Sequence, residues 1–312
     1  MIKLNGLIGD ENMSQNTSFQ EKLYSMTTLI NAEYTYGSDI YELSASGFFY
    51  AETKPSTDEN EKGMVILDKW WLITNKHVLF PEENKIPCLV NYLIFHLRRK
   101  VNDTIEWIPI KILQSELLRY AKIHTKDNVD VAAINISSYI KDIMRIKDDN
   151  IILPFHLSEY NLPDHQPLKI EVSDDILVAS YPKGFYDYSN KFPIVKSGII
   201  ASAWGKNFWG DELFEIDAQL FPGSSGGLVI SKPKDIAIID GKLKYSSSKQ
   251  FIFLGVYSGE YIWKDTMKID QNDYSVDKSY GLGNVWYSYL VPEIIKSGKK
   301  ISIPFDGYRK NR

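Results

Sequence analysis

The sequence predicts an all-β protein: two packed antiparallel β-barrels followed by a short C-terminal helix. Three observations point there. From Thr27 onward, short runs rich in Val, Ile, Tyr, Phe and Trp recur between turn residues, which is strand texture. Helical periodicity is scarce. The strand-bearing stretch spans about 280 residues, too many for one small barrel.

The elements follow in order. Residues 1–26 are largely polar without a clear period and read as an N-terminal arm. One domain, 27–304, comes next, and 305–312 form a tail. The first barrel, about 27–150, takes the runs TTLINAEYTY, SASGFFYAE, GMVILDKWWLITN and IPCLVNYLIFHL. The second, about 151–290, takes KIEVSDDILVASYP, VKSGIIASAW, LFEIDAQL, GGLVIS, FIFLGVYSG and NVWYSYLV. Turns of helix are expected over 119–125 and 140–147. A helix is expected over about 291–298, where Pro292 suits a first turn and Gly298 a cap. Two polar segments interrupt the strands: 53–63, a hairpin end, and 263–281, a long acidic and aromatic loop.

Composition excludes several classes. The chain has 312 residues, 44% of them hydrophobic, so it has material for a sizeable core. Its formal net charge of −4 gives no general attraction to phosphate backbones, so no nucleic-acid partner is expected. Cys88 is the single cysteine. An intrachain disulfide and a Cys-based zinc site are therefore out. No run of 18 apolar residues appears, so no membrane partner is expected. The N-terminus lacks the pattern of a secretory signal, and the expected location is the cytoplasm.

The strongest chemical signal is Gly223-Ser224-Ser225-Gly226-Gly227, set between strand-like runs. A serine nucleophile needs a base and nearby backbone N–H groups, and glycines allow the tight turn that presents them. An ordinary Gly/Ser turn reads equally well from this motif alone. His77 follows the strand WWLIT; a lone histidine among apolar residues is more often packed than catalytic. Asp130 sits inside the apolar run NVDVAAI, where a carboxylate is costly unless it is paired. Together they run His, Asp, Ser, with gaps of 53 and 95 residues. That order differs from those of subtilisins and α/β-hydrolases.

With these motifs in place, the chain resembles a trypsin-like (chymotrypsin-fold) serine peptidase of the bacterial HtrA-like type without a PDZ domain. SASGFFYAE, ITNKHVL, DVAAI, VASYPKGFYDYSNKFPIVKSGIIASAW and IDAQLFPGSSGGLVI are similar to the family's motifs in their proper order. The likeness covers about residues 27–298. It implies Ser225 as nucleophile, His77 as general base and then acid, and Asp130 as the residue orienting the imidazole. The N–H groups of Gly223 and Ser225 would form the oxyanion hole. Ser258, Gly259 and Glu260 would line the substrate, Gln219 the pocket base, and Gly283 and Asn284 the opposite wall.

Such a pocket is neutral and is expected to take a small aliphatic or polar side chain. Glu260 or an aspartate of 263–281 is the rival that would admit a cation. The resemblance implies a peptide or protein substrate and no cofactor. It also suggests control by a protein partner in a bacterial defence or stress system. An inactive protease fold serving as a binding module is the alternative. Ser224 replaces the acidic residue that receives a freed N-terminus in zymogens, so activation by N-terminal cleavage is not expected. No metal site is expected, because the remaining histidines lack ligand spacing.

Overall fold

Ser18 starts the described chain with a capping box: its hydroxyl accepts from Glu21 N–H at 3.2 Å, and its own N–H donates to Glu21 Oε2 at 2.8 Å. Helix α1, Phe19–Met26, follows, so the end of the expected arm is ordered, with Leu23 and Met26 buried. This computed structural model describes residues 18–56, 65–166, 168–239, 242–269 and 272–303. Residues 1–17, the tip of the expected 53–63 hairpin and the tail from 304 lie outside them.

The first unit is built from β1 (Thr27–Tyr36), β2 (Asp39–Pro55), β3 (Val65–Thr74), β4 (Tyr92–Val101), β5 (Thr104–Leu113), β6 (Ala121–Ile123), β7 (Ala132–Asn135) and β8 (Ile151–Ile152). A C-terminal strand, Lys299–Lys300, joins β6 and completes a nine-stranded sheet. The order is β8-β4-β1-β2-β3-β7-β6 and then that strand, with β5 paired to β4. The second unit is a closed six-stranded barrel. Its strands are β9 (Asp175–Ser180), β10 (Ile194–Ile200), β11 (Leu213–Asp217), β12 (Leu228–Ser231), β13 (Phe253–Ile269) and β14 (Asn272–Tyr287). The circuit runs β9-β10-β11-β14-β13-β12.

Three apolar layers organise these sheets. Ile30, Phe49, Leu72, Phe95 and Ile134 fill the first unit. Ile176, Phe214, Ile216, Val229 and Val285 fill the second. Phe48, Trp71, Ile73, Leu228, Phe253 and Trp286 form a layer shared by the strands of both. Neighbours on one strand therefore enter different layers, as Phe48 and Phe49 do, and both are buried. A strand covered on both faces reads as an unbroken apolar run. Helix α2, Lys76–Leu79, ends β3, and helix α3, Gln114–Tyr120, precedes β6. Helix α4, Ser137–Arg145, follows β7. Helix α5, Leu290–Ser297, seats Leu290, Val291, Ile294 and Ile295 on the shared layer.

Two expectations need correction. The helix placed over 119–125 ends at Tyr120, and Ala121–Ile123 is strand. The segment 263–281 is a two-stranded ribbon for most of its length, with β13 and β14 pairing from Ile262↔Ser279 to Ile269↔Asn272. Cross-strand contacts stabilise it: the Trp263 and Tyr280 rings lie 4.3 Å apart, and Lys278 pairs with Asp265. Its polar composition concealed that pairing. Among the described residues no helix is long and apolar enough to cross a membrane.

A buried cation joins the two units. Arg98, on β4, is 4% exposed. Its guanidinium donates to Thr27 O, to Lys191 O and, at 2.6 Å, to the Tyr181 hydroxyl, and lies 5.0 Å from the Trp107 ring. Carbonyls, a phenol and a π-face thus replace the water such a group gives up.

Candidate active site

His77 lies in the single turn of α2, where the chain leaves β3. The turn is tied to the Asp130 loop, because Asn75 Nδ2 donates to Asp130 O at 2.7 Å. His77 N–H donates to Asp130 Oδ1 at 2.9 Å, and His77 Nδ1 lies 2.7 Å from Oδ2. The Ser258 hydroxyl donates to the same Oδ2 at 2.6 Å. An ionised carboxylate only accepts, so Nδ1 carries the proton and Nε2 of the neutral ring keeps its lone pair. Desolvation opposes the charged imidazole. The Asp130 carboxylate, by charge and hydrogen bond, and the Glu82 charge outweigh it and hold the His77 pKa above its ordinary value.

Ser225 faces the cavity that His77 also lines. Its hydroxyl donates to Ser258 O at 3.0 Å rather than to the imidazole. The neighbouring Ser224 is fully buried, and its hydroxyl accepts from Ser180 Oγ at 3.1 Å. It is therefore sequestered from the cavity side.

The backbone around Ser225 is clamped at several points. Pro222 O accepts from Lys183 N–H at 2.7 Å, and Ser224 O accepts from Gly227 N–H at 2.8 Å. In a trans peptide the N–H points opposite to the carbonyl. These two bonds turn the Gly223 N–H away from Lys183 and the Ser225 N–H away from Gly227. Among the described residues neither of those N–H groups donates to a backbone acceptor. Gly223 has φ +90°, and a Cβ there would lie 2.5 Å from Lys183 N. Gly226, at φ +79°, would place a Cβ 2.1 Å from Ser46 O. Both conditions require glycine.

Ser46, on β2, is a residue that sequence reasoning missed. Its N–H donates to Ser225 O at 2.8 Å. Its hydroxyl donates to Gly223 O at 2.9 Å and accepts from Tyr181 N–H at 2.8 Å. The Thr74 hydroxyl holds its carbonyl at 2.9 Å. The available signal was a polar residue at the head of a buried run, SASGFF.

The remaining expected residues divide. Ser258, Gly259 and Glu260 follow one another on β13, with Gly259 opposite Asn284 and Glu260 opposite Gly283 on β14. The Tyr257 ring fills the space before Gly283, where a Cβ would lie 2.7 Å from its Cε2. Gln219 is exposed, and its carbonyl accepts from Lys196 Nζ at 2.5 Å. Asp265, a candidate for the pocket mouth, is paired with Lys278 on the ribbon. An acid outside the predicted set stands nearby: Glu215, on β11, lies opposite Asn284. It is 2% exposed, and neither carboxylate oxygen has a hydrogen-bond partner among the described residues. Burial pushes its pKa up to about 7. Among the described residues no group of three or more His, Cys, Asp or Glu is arranged to hold a metal ion.

Comparison with known proteins places the chain. Among solved structures, it is similar to a thermostable serine protease, AL20, from an extremophilic microorganism. Identity is 9% and the TM-score 0.37, covering 87% of this chain and 95% of that one. It is also similar to a scabies mite inactivated protease paralogue, S-I1, at 13% identity and a TM-score of 0.38, covering 88% and 96%. No curated protein matches the sequence. The family described as "Trypsin-like peptidase domain" matches residues 45–235, a span that includes His77, Asp130 and Ser225. That match covers more than half of the 312 residues, and the protein belongs to the trypsin-like peptidase family of serine proteases.

Proposed function

We propose that the protein is a serine endopeptidase that cleaves peptide bonds with Ser225, His77 and Asp130. The observation that carries the reading is the Asp130 carboxylate, bonded at once to His77 Nδ1 and to Ser258, beside a cavity that Ser225 lines. Ser225 Oγ attacks the scissile carbonyl carbon while His77 Nε2 takes its proton. The developing oxyanion is met by the Gly223 and Ser225 N–H groups. His77 then gives the proton to the leaving amine, and water, activated by the same nitrogen, releases the acyl group from Ser225. Asp130 stabilises the imidazolium throughout.

Ser258, Gly259 and Glu260 offer an extended segment for the acyl half of the substrate. The motif set supports a place beside the bacterial HtrA-like members, as a regulated effector of a defence or stress system. The Ser225 hydroxyl held on Ser258 O supports a resting state that substrate or a protein partner resolves. A fluorophosphonate probe tests the reading. The wild-type protein is expected to label on Ser225 and to cleave an unfolded protein. Ser225→Ala is expected to lose labelling and on the order of 10⁴-fold or more in turnover. Failure of the wild type to label identifies an inactive scaffold instead.

A further inference from the structure

A cavity of about 480 Å³ opens beside Ser225 and His77. Leu43 and Ala45 of β2 line it with Val78 of α2 and Pro81, while Glu82, exposed, brings a carboxylate to it. None of Ser258, Gly259 or Glu260 takes part in the lining. On the triad reading, which this inference rests on, the general acid must contact the nitrogen that departs. The first residue of the leaving peptide therefore lies against His77. The acyl half is covalently held on Ser225 and runs along β13. The leaving half faces β2, α2 and Pro81, where the cavity is.

We propose that this cavity receives the side chain immediately C-terminal to the scissile bond and selects a large aliphatic or aromatic residue there. Its volume falls in the range of ligand pockets and admits large side chains. Leu43, Ala45, Val78 and Pro81 present hydrocarbon, so an apolar side chain gains by leaving water. Ser44 is the one further polar residue of the lining besides His77, Ser225 and Glu82, and a polar side chain set against the four apolar residues forgoes water there without the gain of apolar burial. The Glu82 carboxylate adds repulsion against aspartate and glutamate. Selectivity thus lies on the leaving side of the bond, separate from whatever the Gly283 wall contributes on the other side.

The test is a digest of an unfolded proteome by the full-length protein, with Ser225→Ala as the blank and each cut site mapped by mass spectrometry. After correction for occurrence, Leu, Ile, Met, Phe and Tyr are expected after the cut at least about 10-fold more often than Gly, as for discrimination by an apolar pocket. Asp and Glu are expected to be depleted. Leu43→Asn, at a partly exposed position, is expected to flatten the apolar preference within its own set of cuts. Glu82→Gln is expected to relax the depletion of acids and to leave the apolar preference in place. Ser225-dependent cuts with no preference at this position overturn the proposal and leave the peptidase reading standing. Absence of such cuts overturns both, and fluorophosphonate labelling then shows whether the nucleophile itself has failed.

Discussion

Asp130 accepts three hydrogen bonds through two oxygens, from His77 N–H, His77 Nδ1 and Ser258 Oγ. The first two come from one residue, so backbone and ring of His77 are fixed together, leaving Nε2 as the only titrating atom. In the proposed mechanism the neutral ring is the base, and the folded pKa is raised. The acid limb of kcat/KM is therefore expected to lie above the ordinary histidine value of about 6.5. Glu82→Gln removes one of the charges that raise it. In a pH–rate profile that variant is expected to shift the limb to lower pH, and a shift to higher pH contradicts the assignment.

At the scale of elements, Ser46 joins three of them: β2, the Tyr181–Gly184 turn after β9, and the Pro222–Gly227 loop before β12. Ser46→Ala leaves Gly223 O and Tyr181 N–H without their partner, at a cost of roughly 1–3 kcal/mol. The loss falls on the loop that aims the N–H groups. A drop in kcat of about 10- to 100-fold with KM little changed is the expected result. Steady-state kinetics that show kcat intact and KM raised assign Ser46 to substrate binding instead. This bond set also shows why the sequence yields some parts of the site and withholds others. His77, Asp130 and Ser225 stand out because ionisable or nucleophilic residues in apolar or glycine-rich runs are chemically conspicuous. Ser46 acts through its peptide and a single hydroxyl, and a serine carries no such mark. The strands were legible because burial on both faces keeps them apolar, as in Phe48-Phe49-Tyr50. The 263–281 ribbon was not, because exposed strands pair through backbone and through contacts such as Lys278–Asp265 that composition does not reveal.

At the scale of the whole molecule, both units share one apolar layer, and the proposed triad is assembled across it, with His77 and Asp130 from one unit and Ser225 from the other. Arg98 and Ser46 reinforce that junction with directional bonds. Proton binding acts on the same junction. The His77 pKa is raised on folding, so its contribution to stability is complete below the unfolded imidazole value and fades as pH rises through the folded one. Glu215, raised from 4.5 to about 7, has the same sign: its contribution is complete below the unfolded value and is lost on passing neutrality. A shift of that size corresponds to on the order of 3 kcal/mol. Denaturation midpoints are expected to fall between about pH 5 and 8, and Glu215→Gln to reduce that slope; an unchanged slope removes Glu215 from the account. The neutral imidazole that the proposed mechanism needs appears over the rising end of that interval. Acid thus acts as a storage condition for this enzyme: it holds the fold firm and the nucleophile idle, and a return toward neutrality releases activity at the cost of rigidity.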